Sequence, residues 1–314
     1  MNILPHEALK DLRDDREHRG VGQAWPKTGE LRIVDRYHLE LADTMSMDLL
    51  TTAGSDGWIR KVARVMRLEG MSHREPARLQ CRTPGVERPN RLYGVLTIQS
   101  DGDGTYIVSD VKVPEHGILT IREVWQSFYP FYRHLVEVGG LPLHAALLRH
   151  EARCVLLAAR AGAGKSTCCR RLPTGWEAIC DEEVVVVPFS DGTWHAYPFP
   201  TWSDIVERNL DHTWDISQHT PVTGIFFLEQ GDIDCAEAVG VGEAALQVSR
   251  RVREKCFFYD WGLDKKEEHA MRTLLFDNVC ALARAIPGYR LTVTRTGRFW
   301  EGMEKTLRKD GIME

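Results

Sequence analysis

Residues 154–167 read CVLLAARAGAGKST: a short apolar run, then small residues, a lysine and two hydroxyls. The apolar run suits a strand buried on both faces. The stretch Ala159-Arg160-Ala161-Gly162-Ala163-Gly164-Lys165-Ser166 meets the phosphate-loop pattern G-x-x-x-x-G-K-[ST], with Ala159 in place of its first glycine. Glycines allow successive backbone N–H groups to turn inward and approach phosphate oxygens without a Cβ between them. In that reading Ala161, Gly162, Ala163 and Gly164 line the loop with backbone, and Lys165 reaches the β- and γ-phosphates of ATP. The hydroxyl of Ser166 ligates Mg²⁺, and Thr167 supports the α- or β-phosphate. The competing reading is a turn of small residues that packs a helix against a strand. A strand signal before the loop and a helix signal from Lys165 to Leu172 favour the phosphate reading. Alanine is tolerated at 159 wherever φ is negative.

Outward from the loop, the second half of the chain alternates strand and helix signals. EVVVVPF and TWHAYPF flank Ser190-Asp191-Gly192 and read as a hairpin, and TGIFFLE as a further buried strand. Apolar residues at Met271, Leu274, Leu275, Val279, Leu282 and Ile286 have helical spacing over Glu268–Ile286, which Pro287-Gly288 stops before the strand YRLTVT. Upstream, 118–138 reads as amphipathic helix with a break at Pro130. Residues 30–117 favour short strands, including a hairpin turned at Ser100–Gly104, with weaker helical periodicity at Ile59–Leu68. The expected organisation is therefore an arm at 1–29, a small β-rich α+β domain at 30–117, and an α/β domain at 118–314 with a mixed sheet.

Composition narrows the partners. Of 314 residues 43% are hydrophobic and 27% charged, and the net charge of −5 argues against a broad nucleic-acid footprint. No stretch is long and apolar enough to span a bilayer, and the first residues lack the pattern of a signal peptide. The eight cysteines form no C-x-x-C pair and lie mostly in apolar runs, which fits small core residues and a cytoplasmic location. Neither a zinc-hydrolase H-E-x-x-H nor a G-x-S-x-G is present.

Two weaker features bracket the loop. His144 lies upstream in LPLHAALL, and Asp181-Glu182-Glu183 follows an apolar segment downstream. A carboxylate at a strand end beside bound phosphate can hold Mg²⁺ or take a proton from an attacking hydroxyl. Taken alone, a histidine among leucines is more often structural, and an acidic triplet is more often a solvated turn. The run Arg250, Arg251, Arg253 reads first as a solvated helix face, as do Arg170 and Arg171, although either set could cover phosphate. Pro198-Phe199-Pro200-Thr201-Trp202 could shape an acceptor groove, or simply pack.

Taken in order, His144, a strand, A-G-A-G-K-S, a helix and then Asp181-Glu182 resemble the catalytic domain of HPr kinase/phosphorylase, whose phosphate-loop core is related to phosphoenolpyruvate carboxykinase. The resemblance implies that Asp181 is the general base for a serine hydroxyl, and that Glu182 binds Mg²⁺ or orients its neighbours. It further implies that His144 sits near the transferred phosphate. Ala145, Ala159 and Glu182 depart from the family pattern, and the signature that contacts HPr is not found. LPLHAALL, VLLAARAGAGKSTCCRRLP, GWEAICDEEVVV, HAYPFPTWSD and GIFFLEQG are more closely similar to the kinase-like proteins of the SynChlorMet cassette, over about 135–300. That similarity implies an ATP- and Mg²⁺-dependent kinase for Ser or Thr of a precursor peptide or small protein, and leaves a homo-oligomer open. The alternatives are a nucleotide-bound module that recognises such a peptide, and a kinase for a small metabolite.

Overall fold

The computed structural model describes residues 30–43, 45–52, 56–70, 78–80, 95–99, 105–109, 120–256 and 263–313. The arm expected at 1–29, the turn at Ser100–Gly104 and the domain boundary near 117 lie outside the described residues.

Among the described residues, the N-terminal part is a five-stranded sheet with one helix. Strand β1 (Glu30–Leu41) pairs antiparallel with β2 (Met45–Thr52) and β3 (Arg78–Gln80), and β4 (Val95–Gln99) pairs antiparallel with β5 (Thr105–Ser109). β2 and β5 join the two groups in parallel. Helix α1 (Asp56–Val65) turns Trp58, Ile59, Val62 and Val65 inward, at the spacing of one helical face.

Next come α2 (Ile121–Ser127) and α3 (Tyr129–Glu137). The helix expected over 118–138 is broken at Phe128 rather than at Pro130, and Pro130 sits in the first turn of α3. A proline there loses no hydrogen bond, because first-turn N–H groups have no carbonyl to reach.

The large sheet has nine strands: β6 (Leu141–Leu143), β7 (Ala145–His150), β8 (Arg153–Ala158), β9 (Trp176–Cys180), β10 (Glu183–Pro188), β11 (Trp194–Phe199), β12 (Thr220–Gln230), β13 (Cys235–Ala238) and β14 (Gly288–Val293). Its order is β6-β10-β11-β12-β8-β7-β9, with β14 added to β12 and β13 added to β14. β12 is parallel to β8 and β14, and the remaining pairs are antiparallel. Both faces are covered, which is why the strands read as unbroken apolar runs; Val184 to Val187 are all fully buried. Along β8, Cys154, Leu156 and Ala158 face one core while Val155 and Leu157 face the other.

Among the described residues, five further helices flank this sheet: α4 (Lys165–Arg170), α5 (Trp202–Val206), α6 (Val241–Arg253), α7 (Lys265–Ala285) and α8 (Phe299–Lys309). α7 begins three residues before its expected start because Asp264 caps it. Its carboxylate accepts from the Lys266 and Glu267 amides, and Glu267 accepts from the Asp264 amide in return. The β10–β11 hairpin turns where expected, with Gly192 at φ 84° and Asp191 accepting from the Thr193 amide and hydroxyl.

The N-terminal sheet shares a core with the larger one. The Ala42 amide donates to the Tyr197 hydroxyl at 2.6 Å, the Trp214 amide donates to the Val65 carbonyl at 2.7 Å, and the Trp58 and Trp202 rings lie 5.6 Å apart. Phe128, Phe131 and Phe199 complete that aromatic cluster, so the Pro198–Trp202 loop packs rather than forming a groove. Among the described residues no helix is long and apolar enough to cross a membrane, and the seven described cysteines are all unbridged.

Candidate active site

The site is placed by two breaks in the sheet that fall opposite each other. β6 and β7 form almost one extended segment, interrupted only at His144. Leu143 pairs with Val184 of β10, whereas Leu147 pairs with Cys180 of β9. The partner strand therefore changes at Asp181-Glu182, across the ladder from the change at His144. Ala145 pairs with Ala158, the last residue of β8, so the chain leaving β8 enters its loop beside the same breaks. Strand pairing alone thus gathers His144, the loop and the acidic turn at one end of the sheet.

The loop has the backbone its composition implies. Gly162 and Gly164 have φ of 78° and 104°, values that L side chains rarely adopt. Ala159 is not among the residues with positive φ, and it is buried in the core beneath the loop. The missing glycine therefore costs no backbone strain. Gln230, at the end of β12, donates to the Ala163 carbonyl at 3.2 Å and steadies the loop from the parallel neighbour strand. α4 has only six residues and ends two before the expected Leu172. Its macrodipole is correspondingly small, and Lys165 supplies most of the positive charge.

Lys165 is buried, and its ammonium donates to the Asp181 carbonyl. Burial lowers the Lys165 pKa; Asp181 opposes that shift and Lys255 adds to it. Ser166 is half-buried, and Thr167 is exposed with its hydroxyl accepting from Arg170 at 3.3 Å. Ala161 and Gly162 are exposed on the rim of the loop.

The other expected residues have partners of their own. The imidazole Nδ1 of His144 is bonded to the Glu254 carboxylate just beyond α6, and the His144 amide donates to the Arg251 carbonyl at 3.4 Å. Burial lowers the His144 pKa, the bond to Glu254 opposes this, and Lys165 and Lys255 lower it further. Glu182 accepts from the Ser203 hydroxyl at 3.3 Å and lies 3.5 Å from the Lys255 ammonium. Glu183, which the sequence left without a role, is 1% exposed; it accepts from the Tyr132 hydroxyl at 2.6 Å and pairs with Lys255 at 3.1 Å.

Two basic groups differ from their expected setting. Arg251 is buried and pairs with Glu254 at 2.7 Å, whereas Arg250 and Arg253 are exposed, so the run is not one solvated face. Burial lowers the Arg251 pKa against the pull of Glu254, and Arg250 and the loop residue Arg160 lower it further. Arg171 turns away from the loop and donates to the carbonyls of Thr294 and Gly297. Gathered at the breaks, then, are Lys165 and Arg251, whose charge is disfavoured by burial and by neighbouring cations. A bound polyanion would relieve both costs.

Lys255, Glu254, Tyr132 and Gln230 were missed in the sequence. Only Lys255 and Glu254 carried a hint, as an acid–base step set against the apolar CFF at the end of a helix. A cleft of about 380 Å³ opens at the opposite end of β8, lined in part by His150, Trp176 and Thr223, and involves none of the residues above.

A glycine-turned loop between a buried strand and a helix, its lysine bonded to an acidic turn, defines an α/β protein of the phosphate-loop class. The family model described as SynChlorMet cassette protein ScmC matches residues 108–308, and the chain belongs to that family. The match agrees with the resemblance seen in the sequence and reaches further upstream, through α2 and α3. No curated protein matches the chain. Among solved structures, the Hpr(Ser) kinase/phosphatase from Coxiella burnetii is 11% identical, over 54% of this chain and 89% of that one, with a TM-score of 0.28. So loose an overlap transfers no residue roles.

Proposed function

We propose that this chain is an ATP- and Mg²⁺-dependent phosphotransferase that phosphorylates a serine or threonine hydroxyl of a precursor peptide or small protein. The observation that carries the reading is the bond from Lys165 to the Asp181 carbonyl, which sets the phosphate loop and an acid side by side.

The donor set fits both groups. Lys165 and the first-turn amides of α4 suit phosphate oxygens. Ser166 offers a hydroxyl and Asp181 a carboxylate, which suit Mg²⁺. Among the described residues no three His, Cys, Asp or Glu side chains gather as a metal cage. Mg²⁺ needs none, because it keeps waters and phosphate oxygens and takes only one or two protein ligands. Held there by Ser166 and Asp181, Mg²⁺ would supply positive charge to offset that of the transferred group.

The chain's own residues then divide the work. Lys165 neutralises the phosphate end, while the loop amides fix its orientation. Asp181 takes the proton of the acceptor hydroxyl as the oxygen bonds to the γ-phosphorus. The bond from that phosphorus to the bridging oxygen breaks, and ADP leaves with its electron pair. His144 is held at Nδ1 by Glu254 and lies within electrostatic reach of Lys165.

Membership of a family named for a gene cassette supports a peptide acceptor encoded nearby. The test is mass spectrometry after incubation with ATP, Mg²⁺ and the small peptides encoded beside the gene. A gain of one phosphate on a Ser or Thr supports the reading. Tight peptide binding without that gain replaces it with the binding module, and a gain on a small metabolite replaces the acceptor.

A further inference from the structure

We propose that Lys255 is a positioning residue that sets the Mg²⁺ affinity of the site: by pairing with Glu182 and Glu183 it withholds Glu182 from the metal and leaves Asp181 as the working carboxylate of the turn. The inference rests on the reading of the loop as an ATP and Mg²⁺ site.

Lys255 follows α6 and is 7% exposed. Its ammonium lies 3.1 Å from Glu183 and 3.5 Å from Glu182, beneath the Trp125 ring with 5.6 Å to the centroid. One ammonium thus serves two carboxylates, and a buried carboxylate without a cation is costly. Glu183 lies deep in the sheet and is saturated by Lys255 and the Tyr132 hydroxyl. Glu182 is engaged at both oxygens, one by Lys255 and the other by Ser203. To ligate a metal it would have to leave both partners and leave Lys255 sharing one carboxylate.

Asp181 differs. Its carbonyl, not its carboxylate, accepts from Lys165, and its charge acts on Lys165 more strongly than that of Glu182 does. The cation placed between the two glutamates therefore sorts three consecutive acids into two that it anchors and one, Asp181, that it does not hold. Glu254, the neighbour of Lys255, anchors His144 across the ladder in the same way.

The test is a Mg²⁺ titration of mant-ATP binding, followed by fluorescence, with mant-ATP affinity in EDTA measured alongside. Glu182→Gln is expected to leave the half-saturating Mg²⁺ within about twofold of wild type. Lys255→Met frees Glu182 and removes a positive charge, so half-saturation should fall about tenfold, the scale of effects transmitted through groups that orient metal ligands. Adding Glu182→Gln to Lys255→Met should abolish that gain, and Lys255→Arg should retain wild-type behaviour. If Lys255→Met does not fold, Lys255→Gln, which keeps a donor for Glu183, takes its place with the same expectation. An unchanged half-saturation in Lys255→Met, or in Lys255→Gln where it takes its place, or a tenfold weakening in Glu182→Gln, overturns the inference while the function stands. A wild-type chain that binds no mant-ATP overturns both.

Discussion

The Lys165 ammonium donates to the main-chain carbonyl of Asp181, so the phosphate loop and the acidic turn are joined by a direct bond. Because the carbonyl makes that bond, the Asp181 side chain can be changed without breaking it. Asp181→Asn should keep ATP affinity measured without Mg²⁺ within about twofold while transfer falls about 10²- to 10⁴-fold, the range for loss of a positioned base. Calorimetric binding and single-turnover transfer, measured on the same preparation, check both halves.

Ala159 departs from the loop pattern without harming it. Its φ is not positive, and its methyl group is buried under the loop. Restoring the glycine should therefore bring no gain: Ala159→Gly is expected to leave ATP affinity within about twofold and to cost about 0.5–1 kcal/mol of stability from added freedom in the unfolded chain. Denaturant titration reads the cost.

The His144 imidazole has a pKa lowered from its ordinary value of 6.5, first by burial, then by Lys165 and Lys255 against the bond to Glu254. A base with a lowered folded pKa binds fewer protons folded than unfolded. Stability associated with His144 is thus present above pH about 6.5 and is lost as pH falls from there through the folded value. His144→Asn should flatten the decline of Tm between pH 7 and 5.5 relative to wild type. Equal slopes in the two proteins would remove His144 from that titration.

Trp202 is 1% exposed and packs against Trp58 and Phe128, with ring centroids 5.6 and 5.1 Å away. Trp202→Ala should cost about 3–5 kcal/mol and lower Tm by about 10 °C. Since the cluster lies where the two sheets share a core, near-ultraviolet circular dichroism should lose intensity in the same transition.

The parts of the fold that were legible are those whose chemistry is local. The phosphate loop needs glycines, a lysine and hydroxyls in series, and CVLLAARAGAGKST carries all of them. The 190–192 hairpin and the spacing along α7 were equally local. β6 and β7 were not read as strands, because His144 interrupts their apolar run at the point where the pairing partner changes. α6 and α8 carry Ala244, Val248, Val252 and Phe299, Met303, Leu307, each set at four-residue spacing, and in α6 the arginine run overlays that pattern with charge. Glu254 and Lys255 show in the sequence only as an acid–base step beside an apolar run. They act on residues far away in sequence, and only the packing of α6 against β6 brings them there.

Transfer of label from [γ-³²P]ATP to an acceptor peptide, by wild type and Lys165→Ala side by side, tests the central claim most directly. The site predicts Mg²⁺-dependent labelling of a serine or threonine by wild type, with loss of transfer in Lys165→Ala and ATP affinity about 10- to 100-fold weaker, the scale of a lost charge-assisted contact. Labelling that persists undiminished in Lys165→Ala would contradict it.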